Sequence, residues 1–363
     1  MALADVDTPA LLLDMDAFEH NLDRLDESLA GLKLRVRPHA KSHKCPEIAL
    51  RQMGRGAVGV CCQKVSEAEA MVEGGVMNVM VSNQVVGATK LARLASLARR
   101  ARVSVCVDDP QNVADLDAAA RIAGVNIDVL IEVNVGANRC GVEPGQPVVE
   151  LANRIAGAKH LRLAGLQAYQ GAAQHLRTPA ERKAAIAKAA QQVRTTLELL
   201  HEYGFHPEII AGAGTGTYLN EAGSGIYNEL QVGSYVFMDA DYNRNLDEGG
   251  KPVRSFRQSL YVWTTVMSRT APQRAVVDAG LKALSVDSGM PLVADFSGVE
   301  YLRASDEHGV LQLPEGAPIQ LGDKLRLIPG HCDPTVNLYD WLVCVRRDKV
   351  EAVWPITARG AFY

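Results

Sequence analysis

One lysine and two glycine-containing stretches stand out among the residues that could carry chemistry. Lys41 ends the first predicted strand, in the run Arg37–Lys41. A Gly/Thr loop, Gly212–Thr217, follows the seventh predicted strand, and Gly233-Ser234 lies on the eighth. Glycines let backbone N–H groups approach a phosphate closely, and Thr or Ser hydroxyls add further donors. A lysine with a phosphate cradle is what pyridoxal phosphate (PLP) requires, because its aldehyde needs an amine and its phosphate needs a cup.

Other polar side chains follow predicted strands and would share one rim of a parallel barrel. Arg139 could contact the phenolic oxygen of the cofactor, and Tyr169 could pack against its ring. Gln63 follows the second predicted strand and Tyr235 lies on the eighth, and we include both as candidate cofactor contacts. Each feature alone has a simpler explanation, because a lysine at a strand end is usually solvated and a Gly-Ala-Gly-Thr-Gly run is usually a turn.

A second candidate site is the segment Gly330–Pro334. On a strand, residues two apart point to the same face, so His331 and Asp333 could present a nitrogen and an oxygen to one ion. Such ligands with open positions suit Mn²⁺, Mg²⁺ or Zn²⁺, and ligand type alone does not choose among them. The alternative is a turn, since an Asp before Pro favours turn initiation.

Short runs rich in β-branched residues alternate with helical patterns, which favours a parallel sheet. The eight predicted strands are Lys33–His39, Val58–Cys62, Val79–Ser82, Val103–Val107, Ile127–Val135, Leu161–Tyr169, Glu208–Ile210 and Glu229–Met238. The helical patterns include Phe18–Leu32, Lys90–Arg100, Val148–Ala156 and Ala180–Tyr203. Eight such strands predict an α/β chain with an N-terminal (β/α)8 TIM-type barrel. An open doubly wound sheet would need a Gly-rich turn after the first strand, and Arg37–Lys41 is not one.

The pattern changes after about Asn245, where strand-like segments continue without a long helix. These segments are Tyr261–Met267, Ala275–Asp278, Lys324–Ile328 and Leu342–Val345, and Leu11–Leu13 is expected to join them. We predict a PLP-binding barrel over 15–245. A mostly antiparallel β-domain, carrying the metal motif, is predicted over 246–363 together with 1–14.

Bulk properties exclude several classes of protein. The chain has 363 residues, of which 47% are hydrophobic and 22% charged, and a net charge of −4. No basic stripe predicts nucleic-acid binding, and no apolar run approaches the 18 residues of a membrane span. The N-terminus has no basic region typical of a secretion signal. Seven cysteines without a CxxC motif indicate reduced thiols in a cytoplasmic protein.

Taken in order, the motifs resemble the D-threonine aldolase and D-3-hydroxyaspartate aldolase group, which is related to D-serine dehydratase. This group belongs to the alanine-racemase-like (fold type III) PLP enzymes. The resemblance covers essentially the whole chain. It is carried by RPHAKSHK from Arg37, GVCCQKVSEAEA from Gly59, NRCGV from Asn138, GLQAYQG from Gly165, GAGTGT from Gly212, YNELQVGSYVFMDADY from Tyr227, VDAGLK from Val277, DEHG from Asp306 and PGHCDPT from Pro329.

The resemblance implies a role for each matching residue. Lys41 would be the Schiff-base lysine, and a homodimer is implied. The residues lining the cofactor would be Arg139 and Tyr169, those holding its phosphate Gly214, Thr215, Gly216, Gly233 and Ser234, and the metal ligands His331 and Asp333. Ala213 departs from the family, because relatives often have glycine there; alanine would serve if its φ were negative.

The metal motif separates the subgroups of this family. Dehydratases tend to carry His-x-Cys, a softer pair that favours Zn²⁺, whereas His331-x-Asp333 resembles the aldolases. Cys332 sits one position too early to be the ligand.

The expected reaction is retro-aldol cleavage of a D-3-hydroxy amino acid to glycine and an aldehyde. A divalent cation would bind the β-hydroxyl and lower its pKa. Candidates for the general base are His39, His43 and Lys41, although the histidines also suit a structural role. D-Threonine would give acetaldehyde, and D-3-hydroxyaspartate would give glyoxylate but needs a cation for its second carboxylate, which the sequence does not place. The alternatives are a dehydratase of D-serine or 3-hydroxyaspartate, a racemase and a non-enzymatic PLP-carrier barrel.

Overall fold

The computed structural model describes all 363 residues, and its internal contacts divide the chain into two compact units. The barrel unit consists of Leu29–Lys41, Pro46–Gly233 and Gly360–Tyr363. The β unit consists of Met1–Ser28, Ser42–Cys45 and Ser234–Arg359. The division by contacts therefore falls after Gly233, whereas the sequence pattern placed the boundary near Asn245.

The regular elements are numbered here in chain order. The strands are β1 (Ala10–Asp14), β2 (Arg35–Val36), β3 (Val60–Cys62), β4 (Asn78–Gln84), β5 (Arg102–Val107), β6 (Ile127–Glu132), β7 (Leu161–Gln167), β8 (Ile209–Gly212), β9 (Glu229–Leu230), β10 (Leu260–Ala271), β11 (Arg274–Val277), β12 (Leu292–Val293), β13 (Glu300–Ala304), β14 (Gly309–Gln312), β15 (Lys324–Ile328), β16 (Trp341–Arg346) and β17 (Lys349–Pro355). The α-helices are α1 (Met15–Leu29), α2 (Pro46–Gly54), α3 (Val65–Glu73), α4 (Ala88–Leu97), α5 (Pro110–Ala123), α6 (Gln146–Ala156), α7 (Pro179–Glu202), α8 (Tyr218–Ala222) and α9 (Cys332–Val336).

The barrel unit contains eight parallel strands in the order β2-β9-β8-β7-β6-β5-β4-β3. The two ends of this order are joined by backbone hydrogen bonds from Val58 N–H to the Val36 carbonyl (2.9 Å) and from Cys61 N–H to the Pro38 carbonyl (2.8 Å). A parallel bridge between His39 and Cys61 continues the same seam. The sheet is therefore closed, and the predicted (β/α)8 barrel is confirmed.

The strand β2 is short, and buried side chains hold it in place. The Arg37 guanidinium donates to Glu229 Oε1 at 2.7 Å and to Asn78 Oδ1 at 2.9 Å. A Cβ at Gly59 would lie 2.2 Å from the Asn78 carbonyl oxygen, so only glycine allows this approach. The buried Arg37–Glu229 pair thus links the chain after β2 to β9 at the seam.

Two predicted barrel strands are much shorter than expected. Lys33–His39 contributes only the two residues of β2, and Glu229–Met238 contributes only the two residues of β9. Tight 3₁₀ turns, Ala40–Ser42 and Ser234–Val236, follow at both places. The β-branched pattern overestimated these strands because it does not show where the chain turns.

The β unit is a nine-stranded sheet in the order β11-β14-β13-β12-β15-β10-β1-β16-β17. All its ladders are antiparallel except that between β1 and β16. As predicted, Leu11–Leu13 joins this sheet, where its three leucines are buried. The only α-helix after Asn245 is α9, with five residues. Across both units, no helix combines the length and the apolar composition needed to cross a membrane.

Ala213, immediately after β8, adopts the left-handed backbone conformation with φ +76°. The condition under which alanine would replace glycine without cost, a negative φ, is therefore not met. A left-handed conformation costs a non-glycine residue roughly 1–2 kcal/mol, because its Cβ crowds the following carbonyl oxygen. The GAGTG loop consequently carries local backbone strain.

We predict that Ala213→Gly raises the free energy of unfolding by about 0.5–1 kcal/mol, because strain is removed at some cost in backbone entropy. Urea denaturation measures this difference. Ala211→Gly, inside β8, is the control and should lower stability. Loss of stability in both variants would contradict the strain at Ala213.

Candidate active site

Lys41 lies at the rim of the barrel where β2 ends, in the 3₁₀ turn Ala40–Ser42. In parallel barrels the loops at this rim carry the functional groups. The Lys41 backbone N–H points to His39 Nδ1 at 3.4 Å. The backbone that carries the lysine is thus oriented by a side chain from two residues earlier.

His39 joins three neighbouring strand ends through its other ring nitrogen. Its Nε2 lies 3.0 Å from Gln63 Oε1 and 3.1 Å from Ser82 Oγ. Gln63 follows β3, and Ser82 lies in β4, so the cluster ties the first three strands of the rim together. With Nδ1 facing the Lys41 N–H and Nε2 facing these partners, the geometry favours a positioning role for His39.

His43, the second histidine considered as a base, is completely buried. Its Nδ1 accepts the backbone N–H of Cys45 at 3.1 Å. This contact closes a local turn and favours a structural role.

The loop after β8 is organised by Gln174, which sequence reasoning missed. Gln174 Oε1 accepts the Gly216 N–H at 2.9 Å, and its Nε2 donates to Thr217 Oγ1 at 2.8 Å. A Cβ at Gly214 would lie 2.5 Å from Gln174 Oε1, so a larger residue there would displace the Gln174 side chain. The Gly216 N–H, one of the predicted phosphate donors, is therefore already used to shape the loop.

Thr215 is the residue of this loop that best fits a phosphate. Its hydroxyl is buried and has no hydrogen-bond partner. A buried hydroxyl without a partner is costly, and a bound phosphate would supply an acceptor. The donor set of this loop thus fits the phosphate group of PLP.

The buried carboxyl group of Glu221 stabilises the same loop. Thr217 Oγ1 donates to Glu221 Oε1 at 2.7 Å. Burial raises the pKa of Glu221 to about 7. Gln174, Thr217 and Glu221 form a continuous chain of hydrogen bonds, and the sequence carries no local signal for it because Gln174 is more than 40 residues away.

Arg139 and Tyr169 are brought together at the rim. The guanidinium carbon of Arg139 lies 5.8 Å from the centre of the Tyr169 ring, a cation–π distance. Arg139 Nη2 is also 4.0 Å from Glu132 Oε1 at the end of β6. Burial raises the pKa of Glu132, whose other oxygen accepts a hydrogen bond from Gln84 at 2.6 Å. A cofactor ring beside Tyr169 would therefore lie near the positively charged guanidinium of Arg139.

Gly233 is buried in the segment after β9 and belongs to the barrel unit by its contacts. Ser234 and Tyr235 begin the next turn and belong to the β unit. Both are buried, and the Tyr235 ring lies 5.6 Å from that of Phe256.

The metal motif lies in the β unit, and its local structure differs from the expectation. His331 is the extended residue before α9, and Asp333 lies in the first turn of that helix. The prediction that the two side chains share the face of a strand is therefore wrong, because no strand forms here. Both residues lie instead at the start of a helix.

His331 is oriented by a carboxylate that the sequence did not indicate. Its Nδ1 lies 2.9 Å from Asp287 Oδ2, and Ser285 donates to the other oxygen at 2.7 Å. Although burial opposes it, hydrogen bonds from His331 and Ser285 lower the pKa of Asp287. A carboxylate on one imidazole nitrogen fixes the ring and leaves Nε2 to face a metal.

The motif is anchored by a second aspartate, and Cys332 is turned into the protein. Asp239 Oδ2 accepts the Cys332 N–H at 2.9 Å, and burial raises the pKa of the Cys332 thiol. No three His, Cys, Asp or Glu side chains of the chain cluster in a way that could hold a metal. A divalent ion would have His331 and Asp333 as protein ligands, with its remaining positions open to water or substrate, as a catalytic site requires.

Comparisons with known proteins identify the family of this chain. Residues 13–241 match the family described as "Alanine racemase, N-terminal domain", and residues 259–345 match "Putative serine dehydratase domain". The chain is 48% identical to a 3-hydroxy-D-aspartate aldolase of Paracoccus denitrificans, over 99% of this chain and 94% of that protein. It is also 48% identical, with the same coverage, to a D-threonine aldolase of Arthrobacter sp..

A solved structure agrees over the full length of the chain. The D-threonine aldolase from Filomicrobium marinum superposes with a TM-score of 0.97 at 53% identity, covering 100% of this chain and 98% of that one. The match of both domains and the full-length aldolase relatives lead to one assignment. The chain belongs to the alanine-racemase-like family, in the group whose similar members are D-threonine and 3-hydroxy-D-aspartate aldolases.

Proposed function

We propose that this protein is a PLP- and divalent-metal-dependent aldolase that cleaves D-3-hydroxy amino acids of the D-threonine type to glycine and an aldehyde. D-3-Hydroxyaspartate, giving glyoxylate, is the second substrate considered. The observation that carries the proposal is His331, whose imidazole Asp287 holds at Nδ1, with Asp333 two residues later in the first turn of α9. Relatives at 48% identity are named as aldolases of both substrates.

PLP, when bound, supplies an electron sink that accepts the electron pair of the broken Cα–Cβ bond. We assign Lys41 as the covalent anchor, because it lies at the barrel rim in the 3₁₀ turn that follows β2. The contacts proposed for the cofactor are Gln63, Arg139, Tyr169, Gly214, Thr215, Gly216, Gly233, Ser234 and Tyr235. Of these, Thr215 is supported most directly, by its buried hydroxyl without a partner.

A divalent ion, Mn²⁺, Mg²⁺ or Zn²⁺, would be held by His331 and Asp333 and would lower the pKa of the β-hydroxyl. The proton of that hydroxyl must leave as the carbon–carbon bond breaks. His39 and His43 both accept backbone N–H groups at Nδ1. We therefore assign the proton transfer to Lys41 Nζ and give His39 the role of positioning the lysine backbone.

We divide these roles between the barrel, residues 15–245, and the β-domain, residues 246–363 with 1–14. The proposed working form, from the family resemblance, is a cytoplasmic homodimer acting on a small-molecule substrate. A dehydratase is the rival enzyme class. The third position of the motif, which is cysteine in His-x-Cys, is Asp333 here, and this argues against a dehydratase. Cys332 lies one position earlier, and its buried thiol donates to Asp333 at 3.3 Å.

Product analysis tests the aldolase assignment. Protein supplied with PLP and Mn²⁺ should release equal amounts of glycine and acetaldehyde from D-threonine, and glycine and glyoxylate from D-3-hydroxyaspartate. Chelation with EDTA should stop turnover, and added metal should restore it. A keto acid and ammonia as the only products would identify a dehydratase instead.

The anchor is tested by trapping the cofactor on the protein. Borohydride reduction followed by peptide mapping should place the label on Lys41, and Lys41→Arg should abolish the visible absorbance of the bound cofactor. Lys64→Arg, at the nearby start of α3, is the matched control and should keep it. A label on another lysine would overturn the assignment.

The metal role predicts a separation between binding of PLP and turnover. His331→Ala should lower kcat at least about 100-fold, because the β-hydroxyl is no longer activated, while the cofactor absorbance persists. His308→Ala, an exposed histidine of the same unit, is the control and should retain turnover. A carrier protein without aldolase chemistry would show no difference between the two variants.

A further inference from the structure

The metal segment of the β unit is clasped by a loop that also carries an arginine. The Asp241 N–H donates to the Gly330 carbonyl at 3.2 Å, and Asp239 accepts the Cys332 N–H at 2.9 Å. Three residues after Asp241, the same loop carries Arg244. The position of this arginine is therefore tied to the segment that begins at Gly330 and contains the proposed ligands.

A second loop, 285–289, also contacts the same segment. It supplies Asp287, which holds His331 at 2.9 Å. A Cβ at Gly330 would lie 2.0 Å from the Gly289 carbonyl oxygen, so the two backbones are in direct contact. This loop and the segment cannot separate without breaking the orientation of His331.

Arg244 bridges the two loops. Its Nη2 donates to Asp241 Oδ1 at 3.0 Å and to the Ser288 carbonyl at 2.5 Å. The same nitrogen lies 3.4 Å from the position of a Cβ at Gly289. The guanidinium therefore contacts Asp241 on one loop and, on the other, Ser288, the residue that follows Asp287.

The anchoring leaves part of the arginine available. Both hydrogen bonds use Nη2, and Nε and Nη1 donate to no group of the protein. The side chain is 52% exposed, whereas that of Asp241 is 8% exposed. A guanidinium held by one nitrogen retains donors with which to bind a carboxylate.

The chemistry of the substrate explains what such a cation would contact. In a D-3-hydroxy amino acid, the β-carbon carries both the hydroxyl group and the variable side group. If His331 and Asp333 hold the ion that binds the hydroxyl, the side group must lie in the immediate surroundings of the same segment. A methyl group accepts no hydrogen bond from a guanidinium, whereas a carboxylate forms charge-assisted hydrogen bonds with it.

The surroundings are otherwise acidic, which makes the arginine necessary for an anionic side group. Asp239, Asp241, Asp287 and Asp333 all lie in or against this segment. Four carboxylates would repel a second carboxylate of the substrate unless cations offset them. Arg244, which contacts Asp241 and the loop that carries Asp287, can provide that charge.

We propose that Arg244 binds the second carboxylate of a D-3-hydroxy dicarboxylic amino acid, so that the enzyme favours substrates whose aldehyde product is a 2-oxo acid such as glyoxylate. This inference rests on the proposed aldolase function and names the substrate class of the same site. Arg244 is a specificity-determining residue, since the proton transfer and the bond cleavage need no contact from it.

The test compares two substrates in one holoenzyme. The ratio of kcat/KM for D-3-hydroxyaspartate to that for D-threonine should fall about 10- to 100-fold in Arg244→Gln, the effect of losing a charge-assisted hydrogen bond. Arg244→Lys keeps the positive charge but loses the planar set of guanidinium donors. Its ratio should therefore lie between that of the unaltered enzyme and that of Arg244→Gln. Arg326→Gln, which removes an arginine paired with Asp295 elsewhere in the unit, is the matched control and should leave the ratio unchanged.

A binding measurement provides a readout that does not depend on turnover. D-Aspartate and D-alanine lack the β-hydroxyl and differ in the second carboxylate, and their dissociation constants follow from the change in cofactor absorbance. Arg244→Gln should weaken D-aspartate relative to D-alanine at least about tenfold, both with Mn²⁺ and after chelation. The second condition removes direct contact between carboxylate and metal.

The outcomes separate this inference from the proposed function. An unchanged ratio in Arg244→Gln, or an equal loss with both substrates and both ligands, would overturn the role of Arg244 while leaving the aldolase intact. Absence of glycine release by the unaltered protein would instead overturn the aldolase itself. If Arg244→Gln does not fold, as judged by its thermal unfolding, Arg244→Lys alone decides by the same ratio.

Discussion

Closure of the parallel barrel at β2 is the constraint on which the rest of the structure depends. This strand has two residues, yet it must join β9 on one side and β3 on the other. Arg37 makes this possible by pairing with Glu229 while it also reaches Asn78. Removing one partner of such a buried pair typically costs 3–5 kcal/mol, because the remaining charge is left uncompensated. With the seam closed, the chain after β2 must reach the rim where the other strands end, and Lys41 is delivered there.

Around that lysine, hydrogen bonds show which side chains position their neighbours. His39, two residues before Lys41, faces the Lys41 N–H with one nitrogen and Gln63 and Ser82 with the other. A histidine used in this way orients its neighbours, and its use as a base would break the cluster that ties three strands. Gln174 has a similar positioning role in the loop Gly212–Thr217, where it accepts the Gly216 N–H while the buried Thr215 hydroxyl has no partner.

In the β unit, hydrogen bonds from distant loops likewise orient the side chains of the proposed metal segment. His331 precedes a five-residue helix, and Asp287 fixes its imidazole from a loop 44 residues earlier. Asp239 holds the helix start, and Arg244 connects the two loops that enclose it. The segment thus combines the proposed metal ligands, His331 and Asp333, with an arginine that connects the two neighbouring loops. That combination suits a substrate with a hydroxyl and a carboxylate on one carbon.

Much of this protein is determined by the sequence alone. Alternating β-branched and helical patterns were sufficient for the barrel and the β-rich C-terminal part, because burial on both faces of parallel strands leaves a strong local signal. Lys41, the Gly/Thr loop and the His331-x-Asp333 motif were likewise visible, since each is contiguous in the chain. Only the tertiary structure decided the short lengths of β2 and β9, the left-handed conformation of Ala213 and the helix start at His331. It alone supplied Gln174, Asp287 and Arg244, because their roles rest on contacts between residues distant in the chain, for which no local pattern exists.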